Sequence, residues 1–462
     1  MKKKDSLEVF RNESIPVAVL KNTVPAMAAM MMVLIYNLAD TFFISQTHDA
    51  LMVAAISLAS PIFMIFIAIG SIFGIGGTSV ISRAMGEGRT EYAKNVSAFC
   101  TWGSVTAGIM FTLSLLVFME PVLDFIGTSE DTLQYTKQYL QIIALTGPFV
   151  IVSNCHANII RAEGKAGMAM AGQLIGNLLN IILDPILILG LGWNVAGAAG
   201  ATAIANIVST VYYVLYFGKG RSILSIDPRD FSIKDGVLTG VLSIGLPAAV
   251  GDVLMSISGV IINGKMALYG DMAVAGIGIA MKVTMITGVF AIGFGQGIQP
   301  LLGYCVGARD WNRFRKSMRF SVAFAFALSG LMTVLCYIFT DEIVNIFLED
   351  SSAFSYATGF ARILLTTSFI FGVFYVLSNA LQAMGAASFA MLISICRQGL
   401  VYIPSLYILH AIVGVNGLAW AQPLADILSL LLVLAFYKSS LTRLMNKNDN
   451  PGRLDKAAGY CM

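Results

Sequence analysis

A few polar side chains interrupt a stretch that is otherwise apolar. Between about Ala166 and Gly192 the chain reads Asn177-Leu-Leu-Asn180-Ile-Ile-Leu-Asp184-Pro185. A carboxylate inside such a run costs roughly 2.5–3.5 kcal/mol to insert at a helix centre, so it is kept where it lines a cavity and does work. Helical spacing puts Asn177, Asn180 and Asp184 on one stripe. Pro185 has no N–H to give, so the carbonyl of Ile181 loses its helical partner and becomes available as an oxygen ligand. A second carboxylate, Asp40, stands in Tyr36-Asn37-Leu-Ala-Asp40-Thr41, again within apolar surroundings. Two carboxylates brought close resist joint ionisation unless a cation sits between them, and the chemistry on offer is exchange of Na⁺ or H⁺. The competing reading is a set of separate interhelical hydrogen bonds, each modest in worth.

Such groups must be carried by helices that cross a membrane. Of 462 residues 57% are hydrophobic and 12% charged, and the mean hydropathy of +0.79 lies outside the range of soluble globular chains. About twelve apolar runs are each long enough to cross a hydrocarbon core of ~30 Å. They lie at roughly 25–46, 53–82, 95–119, 133–160, 166–192, 196–217, 238–269, 272–304, 317–340, 354–384, 388–411 and 415–437, numbered here as spans 1 to 12. No cleavable signal peptide is expected before them, since Met1-Lys-Lys-Lys-Asp-Ser is polar and no short apolar segment with a small-residue cleavage site follows. Basic residues gather before span 1 (Lys2, Lys3, Lys4, Arg11, Lys21) and in the even connections, among them Arg83, Arg89, Arg161, Lys165, Lys219, Arg221, Arg309 and Arg313. Lys438, Arg443, Lys447, Arg453 and Lys456 fill the tail, whereas Glu120, Asp124, Glu130, Asp131, Asp341, Glu342, Glu349 and Asp350 mark two odd connections. The positive-inside rule then puts both termini in the cytoplasm, as an even number of spans requires.

The chain also repeats itself. Gly74…Gly86 recurs as Gly295…Gly307 at an offset of 221 residues (295 less 74), and Arg161-Ala-Glu-Gly164 lines up with Gln382-Ala-Met-Gly385 at the same offset. Val195-Ala-Gly-Ala-Ala-Gly-Ala-Thr202 lines up with Val415-Asn-Gly-Leu-Ala-Trp-Ala-Gln422, and Pro25 with Pro247. An offset of six crossings preserves orientation, so the halves are parallel repeats about an axis along the membrane normal, the architecture of secondary transporters. The division expected is an amino-terminal lobe over 1–218, a linker over 219–237, a carboxy-terminal lobe over 238–440 and a polar tail over 441–462. At 1.5 Å per helical residue, Asp40, Asp184 and Thr202 lie about 9, 12 and 10 Å below the outer ends of spans 1, 5 and 6, at one level. Asp40, Asn180, Asp184 and Thr202, with Asn37 and Asn177 one turn away, are therefore the coupling candidates.

The carboxy-terminal lobe carries another set. Arg397 and Asp426 fall near mid-membrane, where a pair lowers the cost of each charge; holding the lobe together and taking part in transport are both open. Asp252 stands five residues after Pro247 and can face the cleft to attract cations, while Lys265 near an outer end snorkels. Methionines suit varied ligands, which makes Met255, Met281 and Met285, with Met27, Met30, Met31 and Met32 and with Gln299, candidates for a substrate wall. Six scattered cysteines, among them Cys461, form no CxxC, and His48, His156 and His410 are isolated, so disulfides, metal clusters and a metalloprotease are not expected. No GxxxxGK[ST] occurs, which removes a nucleotide-driven pump.

At these residues the chain resembles the multidrug and toxic compound extrusion (MATE) family, and within it the bacterial multidrug export protein branch, from Pro25 to about Tyr437. The resemblance rests on Asn37-Leu-Ala-Asp40-Thr41, the glycine-rich end of span 2 with Arg83-Ala-Met-Gly86, Asn180-Ile-Ile-Leu-Asp184-Pro185, Gln296-Gly-Ile-Gln299-Pro300, and Arg397-Gln398-Gly with Pro404. It implies an all-α integral membrane protein whose two six-helix bundles form a V-shaped cleft. It further implies efflux of cationic or amphipathic organic compounds driven by Na⁺ or H⁺ entry, with Asp40, Asn180, Asp184 and Thr202 matching the family's amino-lobe cation site. Some members add a span-10 carboxylate, but no Asp or Glu occurs between Arg362 and Gly385 here. A flippase of lipid-linked oligosaccharide, related in fold, is the alternative. No cofactor, enzymatic activity or nucleic-acid partner is expected; the partners are small organic cations and the lipid bilayer. The place expected is the plasma (inner) membrane, as a monomer.

Overall fold

The computed structural model describes residues 7–47, 49–220, 222–348 and 351–449. Lys2, Lys3, Lys4, His48, Arg221, Glu349, Asp350, Arg453, Lys456 and Cys461 lie outside the described residues, as does the tail from 450 on. Among the described residues eleven helices are long and apolar enough to cross a membrane, and a bent pair makes a twelfth span. The amino-terminal six run Ile15–Ser45, Leu51–Gly86, Thr90–Val117, Glu130–Ala162, Ala166–Gly190 and Asn194–Gly218. The other six are Val237–Tyr269, Asp271–Gly307, Trp311–Ile338, the pair Ala353–Leu365 and Ser368–Ala383 bent by 40°, Ala387–Val413, and a final helix from Val415. That last helix continues to Asp449, so the first nine residues of the expected polar tail belong to it.

Polar residues start and stop these helices. Asp49 accepts from the Leu51 N–H at 2.9 Å and Asp310 from the Arg313 N–H at 2.9 Å, satisfying N–H groups that the first helical turn leaves unpaired. Ser129 and Thr132 form a capping box before span 4. Gly164 and Gly385, aligned in the repeat, both take positive φ (81° and 74°) at the tight turns after spans 4 and 10, a conformation glycine adopts without steric cost. Short helices Met119–Phe125 and Thr340–Asn345 follow spans 3 and 9 in the same repeat register.

The apolar cores draw the shape. One core joins both lobes at the end that carries the termini, uniting Phe10, Ile81, Cys100, Tyr213, Val241, Leu301, Phe314 and Leu381. Towards the far end it splits. Ile44, Phe66, Leu123, Leu140 and Val195 pack within the amino-terminal lobe, and Met266, Ile277, Phe360, Leu406 and Leu418 within the carboxy-terminal lobe. Two bundles joined at one end and parted at the other make a V.

Glycines make the joint. A Cβ at Gly86 would fall on the Tyr304 carbonyl, and one at Gly307 on the Arg83 carbonyl, so the two repeats meet reciprocally across an approximate twofold axis. Gly76 lies against the Val241 carbonyl and Gly245 against that of Ile72, while a Cβ at Gly293 would stand 2.7 Å from Met27 Cα. The glycine-rich ends of spans 2 and 8 are thus a backbone-to-backbone seam.

Candidate functional site

Span 5 changes its winding where Asp184 meets Pro185. The α-helix ends at Asp184, and Pro185–Gly190 form a π-helical turn, a device frequent at functional sites. Span 11 does the same at Cys396–Leu400, around Arg397. Each lobe therefore sets a buried ion on a widened turn.

In the amino-terminal lobe the widened turn faces span 6. Asp184 is 0% exposed, Asn180 2% and Thr202 8%. Asn180 bridges the other two. With its amide oriented to satisfy both ends, the nitrogen donates to Asp184 Oδ2 at 3.2 Å and the oxygen accepts from the Thr202 N–H at 3.2 Å. Asp40 of span 1 approaches closely enough to interact electrostatically with Asp184, and its Oδ1 is buried without a hydrogen-bond partner among the described residues. The hydroxyls of Tyr36 and Tyr139 lie in the field of both carboxylates. No basic side chain pairs with either carboxylate among the described residues, and no three His, Cys, Asp or Glu side chains gather as a metal cluster there. A cation held here would take its ligands from two carboxylates plus amide, hydroxyl and carbonyl oxygens.

A cavity of about 370 Å³ lies beside this cluster and between the lobes. Asn180 and Thr202 line the cavity as well, Asn180 reaching Asp184 on one side and Thr202 on the other. Asn37 and Asn177 stand on the cavity wall; Asn37 donates to the Val33 carbonyl at 2.8 Å, and the Asn177 Nδ2 has no partner among the described residues. From the other lobe come Asp252, Met255, Met285 and Gln296, with Ser71 of span 2 in hydrogen-bond reach of Asp252. Met30 lines the wall, whereas Met27 packs into the glycine seam. Met31, Met32, Met281 and Gln299 are not on the wall. Met281 is 41% exposed away from it, and Gln299 is buried behind it, donating to Gln382 Oε1 at 3.3 Å.

The carboxy-terminal lobe holds its charges differently. Arg397 Nε donates to Asp426 Oδ1 at 2.9 Å, where Gln422 Nε2 also donates at 2.9 Å. Arg397 Nη1 donates to the Tyr375 hydroxyl at 3.0 Å, and the guanidinium lies 4.7 Å from the Phe374 ring centroid. The cluster ties broken span 10 to spans 11 and 12, and Asp426 carries its counter-charge with it. Lys265 lies 4.4 Å above the Tyr407 ring.

Comparison with known proteins fits the duplicated frame. The MatE family model matches the chain twice, over residues 25–186 and 247–408. The chain belongs to the MATE family. It is 30% identical over 447 residues to the multidrug export protein MepA of Staphylococcus aureus (strain MRSA252), covering 95% of this chain and 98% of that one. The solved structure of MATE in complex with MaL6 superposes with a TM-score of 0.91 at 24% identity, covering 96% of this chain and 99% of that one. An outward-facing MATE-family multidrug resistance transporter does so at 0.90, with the same identity and coverage.

Two residues of this transporter escape a reading of its sequence. Arg161 counts there as a charge of the fourth connection, yet it sits in the last turn of span 4, 4% exposed and on the cavity wall. Tyr139 is a buried phenol beside the carboxylates; its depth in span 4, counted from Glu130, is the signal that points to it.

Proposed function

We propose that this MATE transporter is a secondary active antiporter that exports cationic or amphipathic organic compounds in exchange for inward Na⁺ or H⁺. One observation carries the reading: Asp184, which Asp40 meets electrostatically and no described basic group compensates, is joined through Asn180 to Thr202, and both Asn180 and Thr202 line the inter-lobe cavity. Occupancy of the carboxylates by a cation alters the charge that Asn180 faces, and through Asn180 and Thr202 the cavity. When the cation leaves, two close anions in a low dielectric need a proton or a new partner. The π-turn after Asp184 gives span 5 a place to bend at little cost in hydrogen bonds. Asp426 has Arg397, so the coupling burden falls on the amino-terminal lobe.

A cavity of about 370 Å³ takes a drug-sized molecule, in the range typical of small-ligand sites, and is small for a lipid-linked oligosaccharide. The lobes, 1–218 and 238–440 joined by 219–237, rock about the glycine seam to open the cleft alternately to each side. The chain works in the inner membrane as a monomer with both termini cytoplasmic, needs no cofactor, and moves its substrates without chemically altering them. Ethidium efflux from vesicles reconstituted with the purified protein tests the reading. Transport should follow an imposed inward Na⁺ gradient or an inward proton gradient; transport indifferent to both would overturn antiport.

A further inference from the structure

We propose that Arg161 forms an anion-binding subsite at the cavity floor, which makes amphipathic zwitterions preferred cargo over simple organic cations. The proposal rests on the exporter reading and sharpens its substrate class.

Arg161 is a buried guanidinium without a counter-ion among the described residues. Its Nη2 donates to Asn158 Oδ1 at 2.8 Å. Asn158 is held in turn by donating to the Asn154 carbonyl at 2.9 Å, which fixes the guanidinium in place. Its Nη1 is buried with no hydrogen-bond partner among the described residues. The nearest carboxylate in sequence, Glu163, is engaged elsewhere: its oxygens accept from the Tyr216 hydroxyl, the Ser222 hydroxyl and the Ile223 N–H. The ionisable side chain that reaches Arg161 electrostatically is Tyr213, a phenol whose hydroxyl donates to the Ala169 carbonyl at 2.8 Å. Arg397, by contrast, has a carboxylate partner, with Asp426 at 2.9 Å. A buried cation left unpaired is strongly unfavourable, and this one lines the cavity. A ligand carboxylate supplies the missing charge and the missing acceptor, in the two-pronged geometry a guanidinium favours.

The opposite charge stands on the other lobe. Asp252 lines the same cavity and forms no ion pair among the described residues. A molecule with its carboxylate on Arg161 and its cationic end toward Asp252 spans both lobes, its apolar body against Met30, Phe63 and Met255.

Rhodamine B, which carries a carboxylate and a delocalised cation, and its ethyl ester, which carries only the cation, form a matched pair. Fluorescence polarisation with the purified full-length protein should show the acid binding about tenfold tighter or more, the worth of one charge-assisted pair. In Arg161→Gln the preference should fall to about one, and Arg161→Lys should restore it in part. Equal affinities in the wild type would overturn the subsite whether or not either variant folds. A preference that survives in Arg161→Gln would overturn it too. Failure of the wild type to bind either dye would count against the exporter reading instead, so the two failures are distinguishable.

Discussion

The amino-terminal cluster is built from side chains whose charges are left open. Asp40→Asn and Asp184→Asn each remove a charge with no described counter-charge while keeping shape, so the variants should fold and melt at the wild-type temperature or above. Gradient-driven efflux should nevertheless drop to the level of empty vesicles, and full efflux by either variant would remove that residue from the mechanism. Asn180→Ala tests a subtler role. It unfastens Asp184 from span 6 and leaves both carboxylates, so the coupling ion should be needed at roughly tenfold higher concentration for half-maximal efflux, the worth of one hydrogen bond to a charge. An unchanged ion requirement would make Asn180 a bystander. Asp40, Asn180, Asp184 and Thr202 are legible in the sequence because polar atoms inside an apolar run stand out. Arg161 is not, because a charge near a span's end reads equally as loop or helix until the helix end is seen at Ala162. Gln299 misleads for another reason: its depth is legible, but the face of span 8 it occupies depends on packing against Gln382.

At the scale of elements, the widened turns in spans 5 and 11 set the two lobes apart. One presents a carboxylate without a described counter-charge; the other presents an arginine already paired, at the joint of three helices, one of them broken. Removing one partner of such a buried pair costs about 3–5 kcal/mol, whereas replacing both by apolar residues is often neutral. Arg397→Ala should therefore lower the melting temperature of the detergent-purified protein by several degrees, and Arg397→Met with Asp426→Leu should recover it. If the double variant also recovers efflux, the pair is structural; a stable double variant without efflux would give it a part in transport. Hydropathy shows the span but hides the break at Thr366–Thr367, since neither proline nor glycine stands there and the bend follows from how the helices pack. The two-copy frame, by contrast, is plain in the sequence, because the glycines recur at a fixed offset.

For the molecule as a whole, the V closes where backbone meets backbone. A valine at Gly245 would press on the Ile72 carbonyl, which cannot move aside as a side chain can. Gly245→Val should hold the seam apart and abolish efflux, and cysteine pairs placed across the far rims should crosslink faster in it than in the wild type. Equal crosslinking rates would argue against a rocking motion. The same seam bears on how such a protein evolves. Every replacement of glycine adds atoms, and at Gly76, Gly86, Gly245 and Gly307 those atoms meet a peptide carbonyl of the other lobe. No compensating substitution nearby can shorten a backbone, so these positions have no neutral neighbours to drift through. The cavity wall, with its methionines and amides, has many. A lineage selected for resistance to a new compound is free to vary there while its hinge stays frozen, and the breadth of its drug spectrum is then a product of where variation is permitted.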